Sequence, residues 1–281
     1  MVRLFFAVMS LLVLIGCSGP VPAPAPVRVL VFTRTAGFRH DSIPAGVAAI
    51  RDLGTTGGYQ VDATDDAGAI GTANLRRYRA VVFLSTTGDL LDSAQQQALG
   101  GYVEGGGGFV GVHAAADAEY GWPFYGQLVG AWFASHGAVE PGRIEVVDRR
   151  HPATAQLGAT WTRTDEWYSF RSRPHAHVLL RLDADHPLAW CHVVGSGRSF
   201  YTALGHPVAA FAEPALRAHL QGAIRWAAGL VPADCGTEQS GTEQSGTEQS
   251  GTDESPAAAA TGLSLPGPGE APDFYFYSGN E

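Results

Sequence analysis

The sequence predicts an α/β domain built on a doubly wound, mostly parallel sheet with a strand-rich C-terminal half. Three observations carry this expectation. Short β-branched apolar runs alternate with helical patterns between Val27 and Val112, from Arg143 onward strand-like segments follow one another directly, and the segment holding both, Val27 to Val231, has 205 residues, enough for one well-cored domain.

Val27 to Thr33 (VRVLVFT) is a β-branched run bounded by prolines and a polar loop, as a central parallel strand buried on both faces requires. Ile43 to Leu53 has a helical pattern, with Ser42 placed to cap it and Pro44 in its first turn. Tyr59 to Ala63 and Tyr78 to Leu84 read as strands. Asp92 caps a helix running to about Glu104, Gly105 to Gly108 supply the turn that ends it, and Phe109 to Val112 is the next strand. Strands and helices alternating at this spacing imply right-handed crossovers. The later half offers strands at Arg143 to Val147, Ala176 to Arg181, Leu188 to Val194 and Arg198 to Ala203, the last two joined by a hairpin at Gly195-Ser196-Gly197. A closing helix at about Pro214 to Ala228 turns Leu216, Leu220, Ile224 and Trp226 inward.

In an open parallel sheet ligands bind at the carboxyl ends of the strands, which directs attention to His40 and Asp41, to Ser85 through Asp89, and to His113 and Asp117. Gly111-Val112-His113-Ala114-Ala115 has the layout of a strand-to-helix elbow, where small neighbours let a tight, strained turn present one side chain. That side chain is an imidazole. It serves as a general base or a metal ligand and is a poor acyl nucleophile, which argues against hydrolysis through an acyl-enzyme.

Six ordered segments carry a family resemblance: GFRHDSI (Gly37 to Ile43), GGGFVGVHAAAD (Gly106 to Asp117), GAWFASH (Gly130 to His136), DEWYSF (Asp165 to Phe170), HPLAW (His186 to Trp190) and GRSFYTALGH (Gly197 to His206). Over Val27 to Gly229 the chain resembles the ThuA-like family, named for trehalose utilisation. The resemblance implies a class I glutamine amidotransferase-like, flavodoxin-like fold and an association with sugar and keto-sugar metabolism. The cysteine of glutamine amidotransferases is replaced at the elbow by His113, so glutaminase activity is not expected.

The expected site gathers His113, Glu166, Arg198 and His206 as catalytic groups, with His40, Asp117, Trp122, Asp165, Tyr168 and Tyr201 binding substrate. Two chemistries fit. His40, His113, His136 and His206, with Glu166 near, could hold zinc or another divalent metal with one open position. Without metal, His113 and Glu166 would pair as base and acid, with Arg198 holding an oxyanion or enediolate. Each residue also has a plain structural role open to it: His40 and Asp41 as caps of the first helix, Arg198 as a partner of Asp165, His206 as a strand end. Trp122, Tyr125, Trp132, Trp161, Trp167, Tyr168 and Trp190 favour a saccharide ligand, since sugar C–H faces pack on rings; most would equally serve as core, leaving about two for a site. His151, His175, His177, His186, His192 and His219 are expected mostly in turns or at the surface. The leading expectation is an enzyme acting on a carbohydrate or keto-sugar derivative; the alternatives are a non-catalytic glycan-binding module and a metal-dependent hydrolase of another small molecule.

Charge narrows the classes further. All 18 basic residues are arginine, which removes lysine-based chemistry such as Schiff bases and the P-loop. From Pro232 to Glu281 there are nine acids and no base, so the net charge of −9 belongs to that segment and the rest is balanced, against a nucleic-acid partner.

The ends are read separately. Arg3 and the apolar run Leu4 to Ile15, closing on Gly16-Cys17, resemble a bacterial lipoprotein signal over residues 1–16, with Cys17 lipidated and tethering the protein to the outer face of the cell membrane. An ordinary signal peptide with an incidental cysteine is the alternative. Pro20, Pro22, Pro24 and Pro26 make residues 17–26 a semi-rigid spacer. Residues 232–281, with three GTEQS copies and one GTDES, read as a disordered acidic tail. Cys191 and Cys235 remain, either paired or as a buried thiol and a linker thiol.

Overall fold

The computed structural model describes residues 25–235. The signal segment, Cys17, most of the spacer and the repeat tail lie outside them.

The first half follows the expected alternation: β1 (Arg28–Phe32), α1 (Ile43–Gly57), β2 (Gln60–Thr64), α2 (Thr72–Leu75), β3 (Ala80–Leu84), a two-residue β4 (Thr87–Gly88), α3 (Ser93–Glu104), β5 (Gly108–Val112), a two-residue β6 (Asp117–Ala118) and α4 (Pro123–Val129). The second half is β7 (Phe133–Val146), β8 (Thr160–Phe170), β9 (His177–Arg181), β10 (Pro187–Val194), β11 (Gly197–Thr202) and α5 (Pro214–Ala227). Nine strands form one sheet in the order β2-β1-β3-β5-β11-β10-β9-β7-β8, and β4 pairs with β6 alone. The four pairings from β2 to β11 are parallel and the four from β11 to β8 are antiparallel. The sheet is therefore mixed rather than mostly parallel.

Why each strand sits where it does follows from its pattern. β1, β3 and β5 are almost entirely buried, because helices cover both faces. Neighbouring residues of β5 show the two layers. A Cβ on Gly108 would meet the Ala227 carbonyl oxygen of α5 at 2.3 Å, whereas Phe109 packs on Tyr125 of α4, ring centroids 6.1 Å apart. Helix α3 starts on a capping box: the Asp92 carboxylate accepts from Gln95 N at 2.9 Å, and the Gln95 side chain accepts from Asp92 N at 3.0 Å. Ser42 precedes α1 but does not cap it with its side chain; its hydroxyl donates instead to the Gly205 carbonyl at 3.1 Å, tying the start of α1 to the loop after β11.

The strand β8 and the first half of β7 had no counterpart in the sequence pattern. Along β8 the inward positions alternate as Trp161, Arg163, Asp165 and Trp167, so a buried ion pair interrupts the apolar period by which a strand is read. In β7 the exposed Ala134 to Pro141 carries glycine, alanine and proline, and only the end near Ile144 and Val146 alternates. Cys191 of β10 and Cys235 beyond α5 form a disulfide with Cα atoms 5.6 Å apart. His151 and His219, expected in turns or at the surface, are buried at 1% and 0% exposure, stacked among Phe200, Trp226 and Trp161.

Candidate functional site

The elbow after β5 sets the site. His113 has φ +52°, a left-handed backbone that a residue with a Cβ adopts at a cost of order 1–3 kcal/mol. Its surroundings hold it there. The Tyr201 hydroxyl donates to the His113 carbonyl at 2.8 Å, and Gly111 leaves room for Tyr201, whose ring would stand 3.0 Å from a Cβ at that position. The imidazole is fully buried, and Nδ1 lies 2.8 Å from the Ala203 carbonyl. A carbonyl only accepts, so Nδ1 carries the proton and a neutral His113 turns the bare lone pair of Nε2 inward.

Around that Nε2 stand His40 Nε2 at 3.2 Å, Tyr168 Oη at 3.2 Å, His206 Nδ1 at 3.3 Å and Glu166 Oε2 at 3.5 Å; His206 Nδ1 is itself 3.2 Å from the same glutamate oxygen. One lone pair cannot satisfy so many neighbours. Donor atoms of His40, His113, Glu166 and His206 all lie within 4.8 Å of one another. Four ligands set tetrahedrally at about 2.0–2.1 Å from zinc would stand about 3.3 Å apart; the separations among these residues given above run from 3.2 to 3.5 Å, and the two that join His40 to His206 and to Glu166 lie within 4.8 Å. The donor set fits a divalent metal.

Two of the neighbouring rings are shifted toward the neutral form. Burial, reinforced by His113 and His206, lowers the His40 pKa to about 3, and burial likewise lowers His206. Burial pushes the Glu166 carboxyl up, but the imidazoles of His113, His206 and His136 around it outweigh burial and hold it below its ordinary range. His40 Nδ1 is buried with no partner.

The supporting shell is as specific. Asp165, with no exposure, accepts from the backbone N–H of Glu166 (3.0 Å), Gly205 (3.1 Å) and His206 (3.1 Å) and pairs with Arg163 at 2.9 Å. One carboxylate thus places two cluster members. Gly205, at φ +121°, makes the turn that delivers His206. Asp165 and Tyr201, expected to touch substrate, hold cluster residues instead.

Other expected residues fall elsewhere. Arg198 sits near the start of β11, opposite Gly108, and donates to the Trp226 carbonyl at 2.7 Å, so its charge serves the C-terminal end of α5 at the far end of the strands from His113. It holds no oxyanion there. Trp122 precedes α4 and packs on Phe124 and Tyr125, away from the cluster. His136 is half-exposed; its Nδ1 is 3.0 Å from Glu166 Oε1, on the outer side of the carboxylate, and Glu166 rather than His136 completes the converging four. Asp117 accepts from Tyr120 Oη at 2.6 Å, and burial raises its pKa. Of the seven aromatics weighed for sugar stacking, Tyr168 meets the cluster, its ring 4.4 Å from that of His113, while Tyr125 and Trp190 are core.

Sequence reasoning missed Arg163, Phe133 and Glu119. Phe133 packs on Tyr168 at 4.4 Å. Glu119, at 2% exposure, accepts from Leu90 N, Leu91 N and Gln96 Nε2 and fixes the loop after β4. A buried charge leaves no periodic trace in sequence, so only the packed structure exposes these roles.

Residues 28–227 match the trehalose utilisation (ThuA) family, and the chain belongs to it. No curated protein matches the chain. Among solved structures, a ThuA-like protein from Bacteroides uniformis is 24% identical with a TM-score of 0.62, covering 74% of this chain and 95% of that one. A ThuA-like protein from Parabacteroides merdae is 22% identical with a TM-score of 0.64, covering 76% and 96%. A β-galactosidase from Bacillus circulans sp. alkalophilus is 12% identical with a TM-score of 0.51; the likeness spans 73% of this chain and 31% of that one.

Proposed function

We propose that this member of the trehalose utilisation family is an enzyme acting on a carbohydrate or keto-sugar derivative, with His40, His113, Glu166 and His206 holding a divalent metal, zinc foremost. The carrying observation is that four donor atoms, three of them imidazole nitrogens, lie within 4.8 Å of one another beside the elbow after β5. A bound metal would polarise a sugar carbonyl or hydroxyl and lower the pKa of a water. The protein's own groups do the rest. His113 is fixed in one tautomer by the Ala203 carbonyl, and Glu166 is held ionised between His206 and His136. Tyr168, whose pKa burial raises, stays a phenol able to donate a hydrogen bond to a sugar oxygen. Asp117, whose pKa burial raises and whose carboxyl accepts from Tyr120 Oη, is the group this reading assigns to proton return. The class I glutamine amidotransferase-like assignment remains part of the reading, and with histidine at the elbow in place of cysteine it carries no glutaminase activity.

The same reading places residues 27–231 as a domain outside the cytoplasm, led there by the signal in residues 1–16, tethered through lipidated Cys17 and the 17–26 spacer, and followed by the acidic tail 232–281. The Cys191–Cys235 disulfide supports an oxidising compartment. No helix among the described residues is long and apolar enough to cross a membrane.

The test is elemental analysis together with mass spectrometry of the chain incubated with glycosides and 3-keto-glycosides. One divalent ion per chain and turnover are expected, both lost in His113→Ala. Turnover that persists after refolding from chelator with no metal retained removes the metal. Sugar binding without turnover, surviving His113→Ala, makes the domain a glycan-binding module.

A further inference from the structure

Five large apolar side chains stand exposed among the described residues: Phe38 (67%), Val193 (59%), Val208 (53%), Val139 (45%) and Val147 (43%). Exposed apolar residues scattered singly are ordinary; their grouping is informative. Two of the five border the His/Glu cluster. Phe38 lies two residues before His40 and meets its ring edge-on at 4.8 Å. Val139 stands opposite Glu166 in the β7–β8 register, so both side chains project from one face of that ribbon. Phe133, half-buried between Tyr168 and His136 at 4.4 and 5.8 Å, continues the apolar rim. The loop after β1 and the strand β7 thus bring apolar groups to the mouth of a polar centre.

We infer that this collar of Phe38, Phe133 and Val139 receives an apolar aglycone: the substrate is a glycoside or keto-glycoside that presents its sugar to the cluster and a hydrophobic, preferably aromatic, group to the rim. The inference rests on the carbohydrate reading above and narrows its substrate class. A single ring can stack on the C–H face of a sugar, but a rim that is apolar on two sides would strip water from the hydroxyls around a second sugar without replacing their hydrogen bonds. An aryl or alkyl group loses nothing there and gains by leaving water.

The test is calorimetric titration of the full chain with methyl and phenyl glucosides and their 3-keto counterparts, with turnover followed in parallel. The phenyl compounds should bind about tenfold more tightly than the methyl ones, as partial burial of a phenyl group allows. Phe38→Ala should bring that ratio close to one; Phe38→Tyr, and Val193→Ala at an exposed valine away from the cluster, should preserve it. Equal affinity for methyl and phenyl compounds, or a ratio that survives Phe38→Ala, overturns the collar and leaves the carbohydrate reading standing. Failure of every sugar to bind or react removes the carbohydrate reading, and the collar with it. Sedimentation of the same variants covers the other occupant: a dimer that Phe38→Ala converts to a monomer makes the rim a subunit contact and overturns the proposal.

Discussion

At Asp165 a single carboxylate without solvent contact receives three backbone N–H groups and a guanidinium. Arg163 is in turn buried, lying over Trp161 and reaching Glu213 at 3.4 Å. Removing one partner of a buried pair leaves the other charged and unpaired, which costs about 3–5 kcal/mol. Asp165→Ala should therefore lower unfolding stability by roughly that amount. It should also reduce turnover in the fraction that folds, because Glu166 and His206 lose the acceptor that places them. Denaturant unfolding and kinetics on the same preparation check both; an unchanged midpoint would show that the pair contributes nothing. His113 is the complementary case, with its strained backbone held by the Tyr201 hydroxyl and the space left by Gly111.

Strands and helices were legible in proportion to how well one physical pattern describes them. β1 and β3 lie within the apolar runs marked in sequence, trimmed by one or two residues at their ends, β5 starts one residue before its run, and α3 begins at the residue after its Asp92 cap. β8 was illegible because Arg163 and Asp165 occupy core positions, and the tip of β7 because its exposed residues have no face to bury. The disulfide was an open alternative, since pairing depends on Cα separation. It ties the chain after α5 back to β10 and closes a loop of 44 residues. Chain entropy assigns such a closure about 4 kcal/mol, and measured values are commonly 2–4. Cys235→Ser should lower the unfolding free energy within that range with little change in turnover, since Cys191 and Cys235 are not members of the His/Glu cluster. An unfolding midpoint insensitive to reductant would contradict this.

Across the whole molecule the buried histidines set an acid limit. Burial lowers His219 to about 4, and burial with the nearby His219 and His177 lowers His151 to about 3, against an ordinary 6.5. Both folded pKa values lie below the unfolded one, so the unfolded chain takes up protons first. Their contribution is complete above about pH 6.5 and is lost as pH falls through the window toward 4 and 3. For His219 alone the loss is on the order of 3 kcal/mol. Unfolding monitored from pH 7.5 to 4.5 should show falling stability, and His219→Leu should flatten the slope; a slope unchanged by that substitution would assign the acid limit to other groups.

The sequence by itself determined the alternating N-terminal half, the elbow at His113, the family and the kinds of residue available to the site. Those features are written in local periodicity and in short motifs whose meaning does not depend on distant partners. Only the tertiary structure decided which polar residues meet. Arg198 and His113 belong to adjacent strands that run in the same direction, yet they lie near opposite ends, so the arginine is excluded from the cluster. Glu166 and His206 come from distant strands and are brought together by the buried Asp165 between them. The balance of parallel and antiparallel pairing was settled the same way, because strand direction in a sheet is a property of long-range pairing that no local pattern encodes.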